Sequence, residues 1–202
     1  PGAGLTWTDD SGLAFSTNFT TKYGNTKGLL SDESATSWAT QIGYTQPQYS
    51  VSAIINQKYN DWTDSYFSTS SGKERTYDDD NATNIGLRAW WRPQETGTAT
   101  PSISVGFDTS ETGASSNSNT NMYFVGLNWQ DIFQADDRIG LALGQPQKRE
   151  SESTDPFAWE AYYSFQVNDS INVTPTVFGG SDRNGTAGSD LTGALLETTF
   201  KF

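Results

Sequence analysis

Apolar and polar residues alternate with a period of two along most of the chain, the pattern of strands that present one apolar face. Leu13, Phe15, Thr17 and Phe19 share one parity, with Ala14, Ser16 and Asn18 on the other. The split recurs at Trp38, Thr40, Ile42 and Tyr44, at Tyr49, Val51, Ala53 and Ile55, and at Ile85, Leu87, Ala89 and Trp91. It continues at Ile103, Val105 and Phe107, at Tyr123, Val125, Leu127 and Trp129, and at Ile139, Leu141 and Leu143. Phe157, Trp159, Ala161, Tyr163, Phe165 and Val167 follow, then Ile171, Val173 and Val177, then Ala194, Leu196, Thr198, Phe200 and Phe202. With Leu5 and Trp7 as the first, this predicts an all-β chain of roughly eleven strands of about 8 to 12 residues. Long helical periodicity is nearly absent.

The connections alternate as well. Asp9-Asp10-Ser11-Gly12, Gln46-Pro47-Gln48 and Asn168-Asp169-Ser170 are tight turns by residue type. Between them lie long polar stretches at 24–33, 60–81, 110–120, 145–155 and 179–190. Asp131-Ile132-Phe133 is expected to form a short helical turn inside one connection. An antiparallel meander with short turns at one end and long loops at the other is the pattern of a transmembrane β-barrel of the outer-membrane type. The parity opposite the apolar one is mostly Ser, Thr, Gly, Ala, Asn and Gln, which suits a water-filled lumen. Trp7, Trp38, Tyr44, Tyr49, Trp91, Trp129 and Trp159 fall near strand ends. Indole and phenol rings favour the membrane interface, where an apolar body and a polar tip are both accommodated. Bacterial single-chain barrels have an even strand number, so eleven strands predict the C-terminal portion of a larger even-stranded barrel, with its N-terminal strands outside residues 1–202.

Composition narrows the chemistry. Against 12 Lys and Arg there are 24 Asp and Glu, a net charge of -12, which repels a nucleic-acid backbone. There is no His and no Cys, so imidazole acid-base catalysis, thiolate chemistry and ordinary zinc sites are excluded. Glu150 with Glu152, or Asp136 with Asp137, could be imagined as a glycosidase pair, but both pairs lie in or beside connections. No phosphate-binding Gly-rich motif is present. The expectation is a non-enzymatic chain with no cofactor and no metal.

Several stretches carry a family resemblance. Tyr123-Phe124-Val125-Gly126-Leu127-Asn128-Trp129-Gln130-Asp131-Ile132-Phe133 with Gly144-Gln145-Pro146, the segment Ala158 to Pro175, and Thr198-Thr199-Phe200-Lys201-Phe202 resemble cyanobacterial outer-membrane porins. These are the Som type, within the OprB-like carbohydrate-selective or iron-uptake porin family. Gly2-Ala3-Gly4-Leu5 and the segment Trp90 to Pro101 also fit. The resemblance implies an integral protein of a lipopolysaccharide-bearing outer membrane, homotrimeric, passing inorganic ions and small hydrophilic solutes by diffusion. It also implies an N-terminal cell-wall-binding domain that these 202 residues do not include. Phe202, Phe200 and Leu196 match the terminal signal that barrel-assembly machinery recognises in its clients. Arg88, Arg92, Glu160, Glu197 and Lys201 fall on the lumen parity and are the expected pore-lining charges. Arg88 could instead pair with Glu160 or sit near a rim. The acidic residues Asp61, Asp64, Asp78, Asp79 and Asp80 are expected in a solvated external loop. The rival readings are a soluble β-sandwich carbohydrate-binding module and a plugged barrel with a structural role.

Overall fold

The structure, a computed structural model, describes residues 1–29, 31–60, 62, 81–112 and 119–201. Eleven strands make one antiparallel sheet in strict sequence order. They are β1 Gly2–Thr8, β2 Leu13–Thr21, β3 Thr36–Gln46, β4 Tyr49–Tyr59, β5 Asn81–Trp91, β6 Ser102–Thr112, β7 Thr120–Gln130, β8 Arg138–Arg149, β9 Phe157–Asn168, β10 Ile171–Ser181 and β11 Leu191–Phe200. One helical turn, α1 Gly24–Lys27, lies between β2 and β3, and a 3-10 turn, Arg183–Gly185, precedes β11. The sheet is open, with β1 and β11 as its edges. The expected all-β antiparallel class is what forms. The acidic residues Asp61, Asp64 and Asp78 to Asp80, and the terminal Phe202, lie outside the described residues.

Register joins the separate parities into one surface. Leu13 pairs with Tyr44, Tyr44 with Val51, Val51 with Ala89, Ala89 with Val105 and Val105 with Val125. The row runs on through Leu143, Trp159 and Gly179 to Thr192. Every strand places its apolar parity on this same face. The row also measures tilt. It starts at the first residue of β2 and reaches β10 at Gly179, eight residues inside a strand that begins at Ile171. Eight residues at ~3.3 Å against eight interstrand steps at ~4.8 Å is a slant of roughly 35°. That slant lies in the range that barrel closure requires.

Among the described residues no second layer packs on either face. Among the described residues the only buried hydrophobic side chain is Ala82, whereas Trp7, Trp38, Ile42, Val51, Leu87, Val105, Phe107, Tyr123 and Leu196 are all exposed. The buried polar residues include Thr36, Lys58, Thr120 and Gln147, grouped at one end of the strands. Backbone pairing, and not a side-chain core, holds this sheet together.

The strands outrun their apolar segments. β6 continues to Thr112, β8 to Arg149 and β10 to Ser181, so three of the expected long loops shrink to 113–119, 150–156 and 182–190. Ladder hydrogen bonds are made by the backbone and continue after the side chains turn polar. At the other end, residues 92–101 form a ten-residue connection where no tight turn is encoded.

The expected helical turn at Asp131-Ile132-Phe133 does not form. Asp131 and Asp136 adopt φ of 60° and 64°, outside helical space. The amides of Ile132, Phe133 and Gln134 donate to the Asp137 carboxylate at 2.8, 2.9 and 3.1 Å, and the Tyr163 hydroxyl donates to it at 3.0 Å. Side-chain carboxylate has replaced the helical carbonyl as acceptor.

Candidate pore wall

The face opposite the apolar one is small and polar. One complete row reads Thr8, Ala14, Gly43, Ser52, Arg88, Gly106, Phe124, Gly144, Ala158, Gly180 and Leu191. The next runs Thr45, Ser50, Trp90, Ser104, Gly126, Ala142, Glu160, Phe178 and Gly193. Three of the large rings, Phe124, Tyr162 and Phe178, are received by a glycine on a neighbouring strand, whereas Trp90 stands between Ser50 and Ser104. A Cβ at Gly106 would fall on the Phe124 ring, one at Gly140 on Tyr162, and one at Gly193 on Phe178. These three rings therefore lie along the sheet instead of standing off it. Polar side chains bond within the wall: Ser164 to Asn172 at 3.0 Å, Thr174 to Ser164 at 3.0 Å, and Asn128 to the Tyr162 hydroxyl at 3.1 Å.

The two faces differ in charge. On the apolar face, among the described residues, the only charged ones within strands are Glu111 and Lys148, each at the end of its strand away from the tight turns. Lys58, Arg88, Asp108, Arg138, Arg149, Glu160 and Glu197 lie on the polar face. Among the described residues only four acidic ones, Asp108, Glu111, Glu160 and Glu197, are in strands. The other described acidic residues lie in connections.

Arg88 lies in β5, three residues before its end, and is held flat. Its Nη1 donates to the carbonyls of Leu87 at 2.8 Å and Phe107 at 3.2 Å, and its Nη2 pairs with Asp108 Oδ2 at 2.6 Å. The guanidinium carbon lies 5.4 Å from the centre of the Phe124 ring, a cation-π distance. Arg92 follows β5 and is tied to the β3–β4 turn, where Nε donates to Pro47 O at 2.6 Å. That position is the rim at the tight-turn end. Glu160, on β9, is exposed and four interstrand steps from Arg88, roughly 19 Å. The two do not pair. Glu197 is exposed on the edge strand β11, accepting from the Thr199 hydroxyl at 3.4 Å. Lys201 is exposed just beyond β11, its amide bonded to Ser170 O at 2.9 Å. Thus the five charges spread over the wall and do not converge.

Asp108 and Phe124, the partners of Arg88, are candidate-site residues that parity reading left out. Asp108 shares the parity of Ser104 and Gly106, so the rule that selected Arg88 applied to it equally. Among the described residues no group of three or more Asp and Glu side chains could hold a metal ion.

All seven candidate interface aromatics lie on the apolar face within the last three residues at one end of their strand. Trp7, Tyr44, Tyr49, Trp91 and Trp129 mark the tight-turn end, and Trp38 and Trp159 the other. Their polar tips find partners: Trp38 Nε1 donates to Thr17 Oγ1 at 2.7 Å, Trp129 Nε1 to Ala99 O at 2.8 Å, and Tyr44 accepts from Gln46 at 2.9 Å. Thr17 and Thr40 hydroxyls also meet at 3.1 Å on this face. Of the terminal trio, Leu196 and Phe200 are exposed on β11. No family model matches the chain, and no curated protein matches it.

Proposed function

We propose that the chain forms the wall of a water-filled outer-membrane β-barrel through which inorganic ions and small hydrophilic solutes diffuse passively. The observation that carries this reading is a coreless eleven-stranded sheet with an apolar face that is uncharged except at one rim. In water such a face would demand a covering layer, because exposed apolar area costs about 25 cal/mol per Å². Lipid supplies that cover. A soluble sandwich needs a second sheet packed on the first, and the described strands all belong to one.

β1 and β11 run in the same direction, as the first and last of an odd number of antiparallel strands must. Antiparallel closure therefore uses an odd number of further strands between them. Twelve strands slanted by 35° already give a backbone radius of about 11 Å, well beyond the eight-stranded size that side chains fill. A wall of Gly, Ser and Ala with rings laid flat keeps that space open and disfavours a plug built from the wall itself. The same reading makes the protein a porin similar to the cyanobacterial type, a homotrimer, with β11 presented to assembly machinery and lipopolysaccharide outside. No chemical step is involved, so selectivity comes from width and wall charge.

Proteoliposomes carrying the full-length folded protein should release small sugars and salts while retaining a large dextran. Retention of the small solutes, with insertion demonstrated, would contradict the reading.

A further inference from the structure

We infer that Asp108 is a selectivity-determining residue, cancelling the charge of Arg88 so that the wall around this pair carries no net charge; the inference rests on the proposed pore. Arg88 has three anchors besides this carboxylate: the Leu87 carbonyl, the Phe107 carbonyl and the Phe124 ring. Asp108, by contrast, is placed by Arg88 and by the absence of a side chain at Gly86, where a Cβ would come within 2.7 Å of its Oδ1. Register makes the reach possible. Arg88 stands opposite Gly106, so Asp108 is its diagonal neighbour two residues along β6, and Gly86 stands opposite Asp108.

Both side chains touch solvent, at 43% and 29% exposure. An ion passing at about the Debye distance of 8 Å meets a short dipole, whose field falls faster than that of a single charge. Removing the carboxylate while keeping its shape leaves a guanidinium still fixed to the wall by its other anchors. The site then carries a full positive charge at a fixed place. Removing the guanidinium exposes a carboxylate and reverses the sign. The two substitutions must therefore move ion preference in opposite directions, although each breaks the same contact.

The test is the reversal potential of the full-length protein in a planar bilayer under a KCl gradient, for wild type, Asp108→Asn, Arg88→Gln and the double variant. Asp108→Asn should lower the cation-to-anion permeability ratio roughly twofold, Arg88→Gln should raise it by a similar factor, and the double variant should return near wild type. A conducting Asp108→Asn with an unchanged ratio would overturn the inference and leave the pore intact. Equal shifts of one sign in both single variants would overturn it too, since a purely structural contact behaves that way. If Asp108→Asn fails to assemble, Arg88→Gln decides alone by the sign of its shift. A folded, inserted wild type that never conducts would remove the pore itself and the inference with it.

Discussion

The Asp137 carboxylate, buried in the connection between β7 and β8, accepts four hydrogen bonds. Burial pushes its pKa up, but three backbone amides and the Tyr163 hydroxyl favour the ionised form more strongly, and the net direction is down. A depressed carboxyl pKa means that its stabilisation is present above the unfolded value of about 3.9 and is lost as pH falls through the folded value. Asp137→Asn should therefore unfold at lower temperature than wild type at pH 7, and the gap should shrink below about pH 4. Thermal unfolding followed by circular dichroism at both pH values checks this. A gap of the same size at both would mean that charge is not what holds the turn. Tyr163 extends the effect outward, since its ring meets Phe133 edge-on at 5.8 Å and stacks on Phe165 at 5.2 Å. Phe133, 75% exposed, is held at the tight-turn rim by this carboxylate.

At the level of strands, the face assignment makes a demanding prediction about two adjacent residues. Val105 and Ser104 are neighbours on β6 and point to opposite faces. In lipid vesicles Val105→Arg should cost about 2–4 kcal/mol of folding stability, the range for Arg on a lipid-facing strand near the bilayer midplane, while Ser104→Arg should cost well under half of that. Denaturant unfolding in vesicles measures both, and equal costs would contradict the assignment. The parities themselves were legible in the sequence because a period of two needs only local residues. Strand ends were not, since pairing at Thr112, Arg149 and Ser181 continues through polar residues. The Arg88–Asp108 pair was hidden for a different reason. It depends on the register of β5 against β6, and the ten residues from 92 to 101 contain no tight turn from which register could be counted. Across the Pro47-Gln48 turn, where two residues separate β3 from β4, register follows directly and Gln46 meets Tyr49.

For the molecule as a whole, sequential pairing, a slant of roughly 35° and two chemically opposite faces agree with one another. Each has a separate origin: strand order comes from antiparallel pairing of consecutive strands, slant from register, and face chemistry from the period-two pattern. In the proposed pore, acidic connections would lie at the mouth, apart from the Arg88–Asp108 pair on the wall. Cation attraction at an acidic mouth is an ionic-strength-dependent effect, strong at low salt and screened at high salt. The cation preference of the open pore should accordingly weaken as KCl is raised from 0.01 to 1 M, where the Debye length falls from about 30 to 3 Å. A preference that held constant across this range would place the controlling charge on the wall. The central claim is that the sheet encloses an open aqueous path, and single-channel recording of the full-length protein in a planar bilayer tests it most directly. The expected result is large, nearly ohmic conductance steps. A folded, membrane-inserted protein that gave no steps would contradict it.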